Sequence, residues 1–150
     1  MKESRSRLPA TMEVEVPLQV FAPGYVSVPG LAFRVRGPDG TWYLTGTVPP
    51  FWAYNEGIKL WRSKDLASWE PLGFVWKYGE SPWHKPYFDK KKPLWAPEIH
   101  FLKGTFWLTY SLPGWDGTGM TSGCGLLKST SGKADWPYVD MHPEERIGDE

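Results

Sequence analysis

The sequence has a single cysteine, no excess of either charge and no long apolar run. One cysteine, Cys124, excludes a disulfide framework within the chain and a site built from several thiolates, and we expect it to be a small buried residue. The 17 Lys and Arg residues balance 17 Asp and Glu residues, which removes the electrostatic argument for a nucleic-acid or anionic-membrane partner. The partner expected on charge grounds is neutral.

Targeting, metal and cofactor signals are also missing. Residues 1–10 are charged with no apolar stretch behind them, so no signal peptide or transmembrane segment is visible. A cytoplasmic location and secretion with a leader lost from this version of the chain both stay open. The histidines His84, His100 and His142 are too widely spread for a paired metal motif, and no glycine loop suits a phosphate. We therefore expect no metal and no cofactor.

Aromatic residues, glycine and proline are abundant. The chain has 10 Trp, 7 Tyr and 7 Phe residues, and proteins that bind neutral sugars use such aromatic rings as platforms beside hydrogen-bonding groups. The 16 Gly and 15 Pro residues punctuate short runs that favour β-structure, and no segment of useful length shows apolar residues at helical spacing. This pattern is typical of an all-β protein.

Six short runs of aromatic and aliphatic residues bounded by turn residues predict β-strands. They are residues 41–45, 58–62, 73–76, 99–102, 105–110 and 124–128. The segments 38–40 (PDG) and 103–104 (KG) predict tight turns between neighbouring strands.

The most informative feature is an internal repeat. Residues 40–45 (GTWYLT) return 64 residues later as 104–109 (GTFWLT), and residues 60–63 match 126–129 at a distance of 66. The slowly growing distance indicates one structural unit with a longer loop in its second copy. Units of about four short strands are typical of β-propeller blades, although two blades alone would leave exposed strand edges.

Three motifs that occur in a fixed order resemble glycoside hydrolase family 43. Residues 55–66 (NEGIKLWRSKDL), continued by 68–70 (SWE), are similar to the first-blade signature of that family. Residues 94–100 (LWAPEIH) and 103–111 (KGTFWLTYS) resemble the innermost strand and the following hairpin of its second blade, and residues 127–134 (LKSTSGKA) resemble the outer part of that blade. The likeness is to the N-terminal portion of the family.

The resemblance implies a fold and a division of the chain. Family members are five-bladed β-propellers, so we expect four-stranded antiparallel blades of which only about the first two are present. Residues 1–36 would be an N-terminal segment with a divergent first inner strand, and 37–80 the rest of the first blade. Residues 81–93 would be a loop, 94–140 the second blade, and 141–150 the start of a linker towards a third blade.

The resemblance also implies hydrolysis of xylosides, arabinosides or arabinan, with a pentose-containing oligosaccharide or polysaccharide as partner. Inverting hydrolysis needs a carboxylate base and a carboxylic acid. The family's base is an aspartate in an Asp-Pro pair at the start of the first inner strand, but residues 16–38 contain no acid, and the other two acidic residues belong to later blades. No catalytic residue can be assigned.

Three functions are therefore compatible with the sequence. The chain is a piece of an active glycosidase, a propeller that binds sugar but has lost the base aspartate, or a structural domain unrelated to carbohydrate. The coding sequence on either side, read for an Asp-Pro pair upstream and further blades downstream, would separate them.

Candidate sugar-binding residues come from the second inner strand and from loops. Trp95 and Glu98 are expected to face the central funnel of a propeller, where an indole offers a face to a sugar ring and a carboxylate accepts hydrogen bonds from hydroxyls. The competing interpretation of Trp95 is a core aromatic at a blade junction. Trp52, Trp83 and Trp115 lie in Pro- and Gly-rich loops and are candidates for the rim of the site.

Five further residues receive less specific interpretations. Trp69 and Trp136 occupy equivalent positions in the two copies, which predicts a repeated structural contact. Asn55 and Glu56 precede a strand and are interpreted either as a loop cap or as a substrate contact. Asp140 is expected to be a solvated residue at the start of the linker.

Overall fold

The computed structural model describes residues 32–47, 54–77, 79, 81–114, 122–144 and 147. The described residues form two four-stranded antiparallel sheets, each with its strands in sequence order. The first sheet contains β1 (Ala32–Arg36), β2 (Trp42–Gly46), β3 (Gly57–Ser63) and β4 (Glu70–Lys77); the second contains β5 (Trp95–Leu102), β6 (Thr105–Leu112), β7 (Gly123–Ser129) and β8 (Tyr138–Asp140). The prediction of an all-β protein built from four-stranded units is confirmed. Trp52 and Trp115 lie outside the described residues.

The connection between the sheets is partly helical. One turn of 3-10 helix, Pro82–His84, leads into the five-residue helix α1, Lys85–Asp89. A proline in the first turn of each suits helix initiation, because its φ angle is already helical and its missing N–H is not needed there. Among the described residues no helix is long and apolar enough to cross a membrane.

The pairing of the second and third strands in each sheet confirms the repeat. Leu44 of β2 lies opposite Trp61 of β3, and Leu108 of β6 lies opposite Leu127 of β7. The hairpin formed by β5 and β6 turns through Lys103 and Gly104, whose φ angles are +51° and +79°. Positive φ at both turn residues is the geometry that matches the twist of a two-residue hairpin.

Most of the hydrophobic core lies between the two sheets. Leu60 and Trp76 from the first sheet share one cluster with Ile99 and Leu108 from the second, and β1 and β2 contact β5. Burial of one such side chain stabilises the fold by about 1.5 to 3 kcal/mol. Because the core joins both sheets, it holds the start of β5 against the first sheet.

A smaller cluster covers the other face of the first sheet. It consists of Leu44, Trp61 and Trp69, and the Trp69 indole donates to the Leu66 carbonyl at 3.2 Å. Trp136, by contrast, is 54% exposed. The predicted repeat of the Trp69 contact is therefore wrong.

The longer connection of the second sheet explains the different position of Trp136. Residues 130–137 join β7 to β8, whereas residues 64–69 join β3 to β4. In the longer connection the Ser131 hydroxyl donates to the Trp136 carbonyl at 2.8 Å. This contact holds the backbone of Trp136 to its own loop, and its ring is left at the surface.

Cys124 is exposed and not buried as expected. Strand alternation explains the difference: Leu127 of the same strand is buried in the core between the sheets, so Cys124, at an odd number of residues from it, lies on the other face. Among the described residues no third sheet covers that face.

Candidate functional site

Trp95 is the first residue of β5 and is half-buried. It pairs with Ser111, whereas the next registered pair is Glu98 with Thr109, so β5 contains one residue more than β6 across this interval. The extra residue makes a β-bulge in which Ala96 has a φ of +43°. A bulge re-aims the side chains next to it, and the orientation of Trp95 therefore depends on this local backbone.

Hydrogen bonds from the connection between β2 and β3 hold the backbone on both sides of Trp95. The Asn55 side chain donates from Nδ2 to the Leu94 carbonyl at 2.9 Å, and the Ala96 N–H donates to Thr47 Oγ1 at 2.9 Å. Asn55 is 7% exposed. Its side chain is thus a buried link to the second sheet, which neither the loop-cap nor the substrate-contact interpretation anticipated.

The described ends of two tryptophan-bearing segments lie at the same end of the sheets as Trp95. Thr47 and Asn55 flank residues 48–53, which include Trp52. Ser111 lies opposite Trp95 shortly before residues 115–121, which include Trp115, and the base of that segment is closed by the Gly114 N–H donating to Ser122 Oγ at 3.1 Å. The rim roles of Trp52 and Trp115 stay predictions.

Glu98 lies beside His100. The Glu98 Oε2 atom is 3.3 Å from His100 Nε2, and both side chains are partly exposed. Ile99 between them packs into the core, so Glu98 and His100 lie on the face of β5 turned away from the first sheet. This pairing was not predicted from the sequence, although a spacing of two residues on a predicted strand could have revealed it.

The first sheet has no carboxylate at the position equivalent to Glu98. Thr45 and Thr109 correspond in the repeat, and their partners on the inner strands are Phe33 and Glu98 respectively. No residue of β1 is acidic. The part of the divergent strand that the structure describes therefore offers no base.

Trp83 and Asp140 belong to a buried polar cluster and not to a rim or a solvated linker, so both expectations are wrong. The Trp83 indole donates to Asp140 Oδ2 at 3.3 Å, and the Ser81 hydroxyl donates to the same oxygen. His84 Nε2 lies 2.6 Å from the Tyr110 hydroxyl and 4.0 Å from Asp140 Oδ2. These contacts fix the helical connection to β6 and β8.

Burial controls the charge of His84. Because the imidazole is removed from water, its pKa falls from 6.5 to about 4, against the smaller opposing influence of the Asp140 carboxylate. His84 is therefore neutral at pH 7, and its Nδ1 accepts hydrogen bonds from the Gly79 and Ser81 N–H groups, each at 3.3 Å. The cluster is closed to solvent, which suits a structural role.

One family model matches most of the chain. Residues 33–148 match the family model described as Glycosyl hydrolases family 43. The matched range includes both sheets except the first residue of β1, and it includes every described residue discussed as a site candidate.

Curated relatives and solved structures agree with that match. The chain is 40% identical over 76 residues to the extracellular exo-alpha-(1->5)-L-arabinofuranosidase ArbA of Cellvibrio japonicus, covering 48% of this chain and 19% of that protein. It is 29% identical over 91 residues to the extracellular endo-alpha-(1->5)-L-arabinanase 1 of Bacillus subtilis, covering 61% of this chain and 27% of that protein.

Among solved structures, the Cellvibrio cellulosa alpha-L-arabinanase complexed with arabinohexaose matches with a TM-score of 0.51 and 27% identity. The match covers 73% of this chain and 33% of that structure. The chain thus spans a third or less of each of these proteins, as expected for a partial propeller.

Proposed function

Because the chain belongs to glycosyl hydrolase family 43, we propose that the protein carrying it acts on arabinan or on arabinose-containing oligosaccharides. The curated relatives are named for arabinanase and arabinofuranosidase activity, and one similar structure is complexed with arabinohexaose. The observation that carries the proposal is the position of Trp95, which is a half-buried tryptophan whose flanking backbone is held by side chains from the connection between β2 and β3.

Trp95 is the aromatic platform of the proposed site. An indole face packs against the C–H face of a sugar, and a site of this kind works best when its supporting backbone is rigid. The hydrogen bonds from Asn55 and Thr47 to the backbone on either side of Trp95 supply that support. Loops on rigid sheets commonly complete such sites, so Trp52 and Trp115 are proposed as its rim.

Glu98 is proposed as the hydrogen-bonding partner of the sugar. A carboxylate accepts hydrogen bonds from hydroxyls through both oxygens, and in this structure His100 lies beside Oε2. Recognition at Glu98 would then use Oε1, with His100 limiting the directions in which the carboxylate points.

A second candidate is sugar binding without hydrolysis. Two observations favour it: the first inner strand has Phe33 where the second has Glu98, and residues 16–38 contain no acid that could serve as base. Release of reducing ends from linear arabinan by the intact protein separates the two candidates. Turnover above a blank supports hydrolysis, whereas binding of arabinan without turnover supports the second candidate.

The platform is tested by Trp95→Ala in the intact protein. The substitution should weaken binding of arabinohexaose by about 1 to 3 kcal/mol, the range for truncation of an anchoring aromatic. Titration calorimetry measures affinity, and thermal melts on the same samples measure stability.

The matched control is Trp42→Ala on the first sheet, where Arg34 and Arg36 lie over the ring at 5.7 Å. It should lower the melting temperature while leaving affinity unchanged in the folded fraction. If Trp95→Ala lowers only the melting temperature, Trp95 is a core residue and the proposed site is wrong.

A further inference from the structure

Two side chains from the connection between β2 and β3 hold the backbone on either side of Trp95, at the start of β5. Asn55 Nδ2 reaches the carbonyl of Leu94, immediately before Trp95, and Thr47 Oγ1 accepts from the N–H of Ala96, immediately after it. Asn55 and Thr47 lie at opposite ends of the segment that carries Trp52.

We propose that Asn55 and Thr47 are positioning residues for the Trp95 platform: together they hold the bulge of β5 in the conformation that presents the indole to the sugar. The proposal rests on the proposed function, because it concerns the geometry of that same site. Neither residue needs to touch the sugar.

The backbone between the two contacts requires external support. Ala96 has a φ of +43°, a left-handed conformation that costs a residue with a Cβ atom about 1 to 2 kcal/mol. Such a conformation persists only where the surroundings determine it, and sites of this kind cluster where ligands bind. The hydrogen bond from the Ala96 N–H to Thr47 and the one from Asn55 to Leu94 are direct constraints on the bulge.

Burial of the Asn55 side chain also has a free-energy cost, which packing alone does not explain. Its Oδ1 atom is buried and has no hydrogen-bond partner among the described residues. A buried acceptor without a partner is destabilising, whereas an apolar side chain at the same place would avoid that cost. The amide donor to Leu94 is the feature that an apolar residue could not supply, which points to control of the β5 backbone as the reason for an asparagine here.

The test compares three threonine variants of the intact protein, titrated with arabinohexaose. Thr47→Val removes the acceptor of the Ala96 N–H, and Thr47→Ser keeps it. Thr45→Val is the control for loss of a nearby threonine hydroxyl, because Thr45 Oγ1 also makes one hydrogen bond, donating to the Lys59 carbonyl at 2.9 Å, and does not contact β5 through it. We expect Thr47→Val to raise the dissociation constant about tenfold, with Thr47→Ser and Thr45→Val within about twofold of the wild type.

Asn55→Ala and Asn55→Asp test the other side of the platform. Both remove the donor to Leu94 and should weaken binding about tenfold as well, with a smaller quenching of tryptophan fluorescence by the oligosaccharide. Should the Asn55 variants fail to fold, the half-buried Thr47 still decides the question through the contrast between valine and serine.

The outcomes separate this proposal from the proposed function. If Thr47→Val and the folded Asn55 variants bind arabinohexaose no more weakly than Thr45→Val, while Trp95→Ala does lose affinity, the positioning role is overturned and the platform stands. If Trp95→Ala binds normally, the proposed site itself is wrong.

Discussion

The two sheets share one plan but differ at the start of their inner strands. Phe33 on β1 and Glu98 on β5 lie opposite equivalent threonines, and β5 carries a bulge between Trp95 and Glu98. The pairing of the second and third strands is the same in both sheets. The two copies of the repeat thus share their strand pairing, while the side chain at the corresponding position of the inner strand is apolar in β1 and acidic in β5.

The faces of the two sheets differ in a related way. The face of the second sheet that carries Leu108 packs on the first sheet, whereas the equivalent face of the first sheet, which carries Leu44, is covered by a small cluster of Trp61 and Trp69. Equivalent residues in the repeat are therefore buried against different partners.

The largest expected effect is truncation of the equivalent leucines. Leu108→Ala should lower the free energy of unfolding by about 4 kcal/mol, and Leu44→Ala by about 2 kcal/mol, within the range for cavities left by buried leucines. Leu108 is fully buried between two sheets that cannot easily close around a cavity, whereas the cluster around Leu44 can relax towards solvent. Urea unfolding monitored by circular dichroism measures both values. Equal losses would contradict this difference and indicate that the face carrying Leu44 is covered as completely as the core.

The next effect concerns His84, which has no counterpart in the first sheet. The pKa of His84 is about 4 in the folded chain, and its ordinary value of 6.5 applies to the unfolded chain. Between pH 4 and pH 6.5 the unfolded chain therefore binds a proton more readily than the folded chain. The stability that comes from burying neutral His84 is fully present above pH 6.5 and is lost as the pH falls towards 4. Among the described residues, Asp140 from β8 and Tyr110 from β6 face the imidazole.

Unfolding at two pH values measures this dependence. Between pH 7 and pH 5 the burial of neutral His84 should account for a loss of about 2 kcal/mol. His84→Gln should abolish that component, whereas His100→Gln, at a partly exposed position, should leave it in place. A wild-type protein equally stable at both pH values would show that the buried cluster opens to admit the proton without cost.

Much of the fold could be predicted from local features. Apolar and aromatic runs between turn signals identified six of the eight described strands. The internal repeat predicted that one structural unit occurs twice. Strands and turns could be predicted because each depends on residues that are close in sequence. The β1 strand was anticipated only as a divergent inner strand. The three-residue β8 was missed, because so short a strand has no period of its own.

The site could be predicted only in part from the sequence. Which side chains are buried depends on how the two sheets pack together, and the sequence of one strand does not show this. Trp95 and Glu98 stood out through their motif, but the links from Thr47 and Asn55 form only when the two sheets dock. Trp83 was misassigned for the same reason, since its loop is proline-rich in sequence but its indole is buried against Asp140.

The smallest effect tests the hairpin turns, where the two sheets should behave alike. Gly40 and Gly104 have φ angles of +78° and +79°. A Cβ atom at Gly104 would meet nothing within 4 Å, and one at Gly40 would lie 3.5 Å from an Arg36 nitrogen, which is ordinary contact. Each alanine substitution should therefore cost about 1 kcal/mol from backbone strain alone, and each asparagine substitution less, because asparagine adopts this conformation more readily. Urea unfolding of the four variants checks the equality. A loss for Gly40→Ala well above that for Gly104→Ala would mean that the first turn depends on the contacts of Arg36 and not only on its backbone, and the two hairpins would then no longer be energetically equivalent.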